Sequence, residues 1–215
     1  MKRLIVLMLL ALTIVAGSAP AATQAAEQYQ FAGRVVNGLW ATFGENGCIN
    51  TIVSVRADEG RTKRANEPER QVMVNVALAQ YDVCSDTWLA FVNTDAPAPL
   101  HAVQVDHELS AATLKATVHV FDEVSGQWLP VELDLQWTAV DVPFRTKRNV
   151  QLSLGEVVLH ERVDGTVRGA EAAGSVRLNG SANLTPEPSY IPGEGPGDAL
   201  TYIASVKVLE SRISR

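Results

Sequence analysis

Between Thr113 and Ala139 the chain can be doubled back so that apolar residues meet on one side and polar residues on the other, and no other feature limits the fold so tightly. With Ser125-Gly126 as the turn, Val124 comes opposite Gln127, Val120 opposite Val131, Val118 opposite Leu133, Ala116 opposite Leu135 and Leu114 opposite Trp137. The alternate pairs are polar: His119 with Glu132, Thr117 with Asp134 and Lys115 with Gln136. Strand side chains alternate between two faces, so a slip of one residue would send the whole apolar set into water. The expectation is an antiparallel hairpin with one face on a core and the other solvated.

The same period of two recurs along the chain, broken by turn residues every ten or so positions, and helix signals are nearly absent. It predicts strands over Tyr29–Val36, Leu39–Phe43, Cys48–Arg56, Gln71–Tyr81, Thr87–Asn93, His101–Glu108, Thr113–Phe121, Trp128–Ala139, Asn149–Leu159, Thr166–Leu178 and Leu200–Leu209. Strands at this spacing indicate an all-β fold, an antiparallel β-sandwich or barrel-like sheet. Two connections look long. Residues 57–70 are rich in mixed charge and read as a solvated loop, whereas Gly180–Asp198 is rich in proline and glycine with Tyr190 and Ile191 at its centre. Loops beyond about 12–15 residues in a compact domain are functional or disordered. Tyr190 is a docking element or a pin that holds its loop to the sheet, and the pin is favoured.

The amino terminus fixes the compartment. Lys2 and Arg3 precede an apolar run from Leu4 to Ala16, and small residues follow through Ala19-Pro20-Ala21. This is the pattern of a cleaved signal peptide over residues 1–22, with cleavage after residues 21 to 26. The run is short for a membrane span, which needs about 20 apolar residues. No cysteine follows it, which speaks against a lipid anchor, and no later segment is apolar enough to insert stably in a membrane. Residues 27–215 then form one all-β domain, secreted or exported to a periplasmic or extracellular space. There, Cys48 and Cys84, the only cysteines, are expected to form a disulfide.

The chain carries 18 Lys and Arg against 24 Asp and Glu, a net charge of −6 that becomes more negative when Lys2 and Arg3 are removed. Such a balance argues against nucleic acid as a partner. The four histidines give no metal site: His107-Glu108 and His160-Glu161 lack a second histidine four positions on, and His101 and His107 on one strand would stand about 20 Å apart. No G-x-S-x-G elbow and no calcium loop occurs, and no cofactor is implied. Asn179-Gly-Ser181 and Asn183-Leu-Thr185 would be glycan acceptors only in a host with an endoplasmic reticulum.

The candidate binding residues are therefore Trp128, Glu132, Asp134 and His119 on the wet hairpin face, with Tyr190 second. An indole face can stack on a sugar ring while neighbouring polar groups bind its hydroxyls; the favoured alternative is that another strand or loop covers Trp128 and the carboxylates are only solvated. The reading is an exported, non-catalytic all-β protein with a surface binding or structural role and a glycan or protein partner. The alternatives are a carbohydrate-binding module and a glycan hydrolase using paired carboxylates.

Overall fold

The computed structural model describes residues 27–44, 47–64, 67–154, 157–192 and 200–214. The expected signal peptide and its cleavage zone lie outside these residues. No helix occurs among the described residues. Ten strands form one antiparallel sheet: β1 (Glu27–Phe43), β2 (Ile49–Arg64), β3 (Glu67–Asp82), β4 (Thr87–Ala98), β5 (Val103–Val105), β6 (Ala111–Asp122), β7 (Gln127–Ala139), β8 (Phe144–Leu154), β9 (Val157–Leu178) and β10 (Tyr202–Ser214).

The strands pair in the order β10-β1-β2-β3-β4-β6-β7-β9-β8, and β10 also pairs with β9, so the path from β10 through β9 returns to its start. Long β9 makes this possible. Its first half pairs with β10 and β8, and from Ala170 onward it pairs with β7. Gly174 on β9 has φ +126°, and an added Cβ would lie 2.1 Å from the Asp134 carbonyl oxygen, so only glycine fits.

The inward side is apolar where β2, β3 and β7 cross the core. Val53, Val55 and Ala57 of β2, Val72, Val74, Val76 and Leu78 of β3, and Val131, Leu133, Leu135 and Trp137 of β7 are all buried. Trp40 and Trp137 are the largest fully buried side chains, and the Trp137 indole N–H donates to the Asn37 carbonyl at 2.9 Å. Fully burying one of the valine or leucine side chains of this core contributes about 1.5–3 kcal/mol. A second cluster, Phe31, Val35, Val167 and Ala204, packs on the opposite side of β1, β9 and β10. There the Phe31 ring lies over paired Gly33 and Gly60; a Cβ on either would come within 2.7 Å of the ring.

Four expectations need correction. The stretch 57–70 is not one loop: β2 continues to Arg64, β3 begins at Glu67, and Arg61 is opposite Arg70, while residues 65–66 lie outside the described residues. Past the core a strand has no apolar face to advertise, so its charges read as a loop. Even so, Thr62 is buried and Arg70 bonds Glu59 at 2.6 Å. Asn149–Leu159 is not one strand but spans the β8–β9 hairpin, with Leu152 opposite Leu159. Tyr29–Val36 and Leu39–Phe43 are a single strand that passes through Gly38, where the Trp40 ring fills the space a side chain would take.

The β6–β7 hairpin is shifted by two residues from the expected register. Val118 faces Val131, Ala116 faces Leu133, Leu114 faces Leu135 and Ala112 faces Trp137. The turn has four residues, Glu123 to Gly126, because the Asp122 carboxylate accepts the Val124 and Ser125 amides and its carbonyl accepts Gly126 N–H at 2.8 Å. A two-residue shift keeps every side chain on its face, so the pattern alone could not separate the two registers.

Candidate functional site

The outward face of the β6–β7 hairpin reads, from the turn inward, Phe121 opposite Trp128, His119 opposite Pro130, Thr117 opposite Glu132 and Lys115 opposite Asp134. The named hairpin residues therefore share one face, but they do not converge. Trp128 and Asp134 are six positions apart on one strand, about 20 Å. Trp128 is 63% exposed and meets Phe121 with ring centroids 5.7 Å apart in a tilted arrangement. Asp134 forms an exposed ion pair with Lys115 at 3.1 Å and lines an open depression of about 610 Å³ with His101, Gln104 and Lys115. Glu132 is flanked by Thr117 on one side and Arg177 on the other. These carboxylates stand on an open sheet face beside cations, not across a cleft.

The aromatic surface is larger than Trp128 suggested. On β3 and β4, Tyr81 and Trp88 are 5.0 Å apart and Trp88 and Phe91 5.7 Å apart between centroids, and Trp88 is 44% exposed. Strands β4 and β6 pair at Val92 and Asp122, both buried, which turns Phe91 and Phe121 outward on the same side. Diagonal neighbours of this kind lie about 7–8 Å apart. The result is an aromatic band made of two ring groups, Tyr81–Trp88–Phe91 and Phe121–Trp128, on the outer face of four strands beside the Cys48–Cys84 disulfide.

Aspartates fix the turns that carry this band. At the β4–β6 junction the strands separate, and side chains replace missing backbone acceptors. Asp122 accepts the Phe91 amide at 3.0 Å, and Thr94 Oγ1 accepts the Phe121 amide at 3.1 Å. Burial pushes the Asp122 carboxyl up, but hydrogen bonds from Ser125, Phe91 and Val124 outweigh it and hold the group below its ordinary value. Asp82 accepts the Cys84 and Ser85 amides at 2.8 and 3.2 Å in the β3–β4 turn and is lowered chiefly by Ser85. The Tyr81 hydroxyl donates to Asp86, which raises its pKa.

Tyr190 lies apart, against Gly169 on β9. Its loop is tied down: Ser189 exchanges backbone hydrogen bonds with Ala172 at 2.8 and 2.9 Å, and its hydroxyl donates to the Leu39 carbonyl at 2.7 Å. The Asn183 amide bonds Gly174, Val176 and Thr185, so its nitrogen is already committed within the fold. Residues 193–199 of the loop lie outside the described residues. On another outward patch, burial pushes the Asp58 carboxyl up against the pull of Arg56 at 3.0 Å.

Among the described residues, the one group with metal-ligand character is Cys48, Asp82 and Cys84, and both sulfurs are spent on the disulfide. No described helix is long and apolar enough to cross a membrane. Sequence reasoning found Trp128 by parity but missed Tyr81, Trp88, Phe91 and Phe121, which become one surface only once β4 is known to meet β6. A scan against protein-family models and searches of curated proteins and solved structures found no match to this chain.

Proposed function

We propose that this is an exported, non-catalytic glycan-binding protein built on a barrel-like closed sheet, and that it holds its ligand on the aromatic band of β3, β4, β6 and β7. The observation that carries the reading is the band itself: two well-exposed indoles, Trp88 and Trp128, each backed by another ring on a rigid sheet. Aromatic faces of this kind stack on the C–H faces of sugars, and Asn93 and His119 offer polar groups on the same outward face. The disulfide agrees with an oxidising, extracellular or periplasmic setting after removal of a signal peptide. The open placement of Glu132 and Asp134 favours binding over hydrolysis, because hydrolysis needs two carboxylates flanking a bound sugar.

A glycan array probed with the mature wild type, Trp128→Ala and Trp88→Ala tests this. Binding by the wild type that weakens at least tenfold in both variants, with unchanged melting, is expected. Absence of any wild-type signal, or equal binding by folded variants, rejects the band as a sugar site.

A further inference from the structure

Past the core, β8, β9, β10, β1 and β2 lie side by side, and their register aligns Lys147, Asp164, Lys207, Ala32 and Arg61 in one row. Two residues further along each strand, Arg162, Leu209, Gln30 and Lys63 form the next row on the same face. This face continues the side of the sheet that carries Val36 and Ala57 into the core. Where the core ends, the side chains change from apolar to cationic. Between β9 and β2 the two rows line an open depression of about 430 Å³.

Among the described residues, no carboxylate pairs with Arg61, Lys63, Lys147, Arg162 or Lys207, and Asp164 is engaged by Arg145 at 3.5 Å. Like charges gathered on one sheet face repel, and the chain as a whole has a net charge of −6. A cationic face on an acidic protein is therefore not a by-product of composition. Its geometry is also regular. Lys147, Lys207 and Arg61 occur on alternate strands, about 10 Å apart at the usual interstrand spacing, which is close to the length of a disaccharide. Exposed Ala32 lies between Lys207 and Arg61, and exposed Leu209 follows Lys207 on the same face, giving this half of the row an apolar floor; Asp164, held by Arg145, stands between Lys207 and Lys147.

We propose that this face binds an acidic polysaccharide bearing one carboxylate or sulfate for every two sugars. The cations take the anionic groups at their repeat distance, and the apolar floor receives the C–H faces of the intervening rings. A duplex nucleic acid would use the cations through its phosphates, but its backbone gives the floor no apolar partner. The aromatic band lies on the outward side of the sheet near the opposite strand ends, so neither site depends on the other.

Hyaluronan, which carries one carboxylate per disaccharide, is the direct probe for the mature protein. Chondroitin sulfate supplies a sulfated counterpart, dextran a neutral control and duplex DNA a competing polyanion. The wild type is expected to bind hyaluronan or chondroitin sulfate but not dextran, and to lose on the order of tenfold in affinity between 50 and 200 mM salt, as release of a few counterions requires. Lys207→Gln with Arg61→Gln should weaken binding about tenfold with unchanged melting, whereas Lys115→Gln on the hairpin and Trp128→Ala should leave it intact. Failure of the wild type to bind either acidic glycan at low salt overturns the proposal. So does equal binding by the folded Lys207/Arg61 variant, or tighter binding of duplex DNA than of both glycans. Should the double variant unfold, the wild-type ranking of acidic glycan, dextran and DNA, with its salt dependence, still decides.

Discussion

Asp122 does the work of a missing strand. Its carboxylate serves the amides of Phe91, Val124 and Ser125 where β4 and β6 part, and the residue is almost fully buried. Asp122→Ala leaves those donors unanswered and should cost about 1–3 kcal/mol for the buried Phe91 amide; Asp122→Asn, which keeps one acceptor oxygen, should cost less. Urea denaturation of the three proteins checks the order. Asp106, held below its ordinary value chiefly by Ser110, joins Asp82 and Asp122 as a turn-fixing carboxylate. All three have folded pKa values below the unfolded ones, so in acid the unfolded chain binds more protons. Their stabilisation is complete above the unfolded carboxylate value near 3.9 and is lost as pH falls through the lower folded values. Melting temperature followed against pH should drop on that limb, and Asp122→Asn should make the drop shallower. None of these roles was legible in the sequence, because an aspartate before a turn looks the same whether its carboxylate faces water or three amides. The side of the sheet that Trp128 takes was legible from parity along one strand, but its exposure was not, since a lone large aromatic is expected to be covered by a neighbouring segment.

At the scale of elements, alternation located most strands and both faces of the hairpin but left its register open. The deciding contact is between the Asp122 side chain and the turn amides, which periodicity does not encode. Paired cysteines separate the two registers. Ala116→Cys with Leu133→Cys places two Cα atoms directly opposite each other, within disulfide range. Val118→Cys with Leu133→Cys would be opposite only in the register the pattern first suggests. Oxidation should close the first pair readily and the second poorly, as read by the mass of unreduced peptides. The β2–β3 hairpin escaped notice for a different reason. Beyond Ala57 the alternation loses its apolar half, and Arg61, Lys63, Glu67, Glu69 and Arg70 have the composition of a loop.

For the molecule as a whole, an all-β antiparallel sheet and the Cys48–Cys84 link follow from local pattern and cysteine arithmetic. The return of β10 to β9 does not, because it depends on strands separated by most of the chain. The aromatic band depends on the same long-range order. The disulfide ties the start of β2 to the β3–β4 turn across 36 positions. Replacing both cysteines with serine should lower stability by about 2–4 kcal/mol, by releasing the unfolded chain, while far-ultraviolet circular dichroism of the folded protein stays the same. A shift in the denaturation midpoint without a change of spectrum is the expected result.

The narrow junction of β4 and β6 has one more consequence. Every other step of the closed path between long strands has a ladder of many residues, whereas this one has a single backbone pair supported by Asp122 and Thr94. Amides there should exchange with deuterium sooner than those of β2 and β3. Parting at this seam would turn a path with both ends joined into a sheet with two new unpaired margins, and such margins recruit other chains. Acid weakens the Asp122 clasp as pH falls through its lowered folded value. Acidified protein should therefore scatter light in a concentration-dependent manner while most of its strand signal is still present.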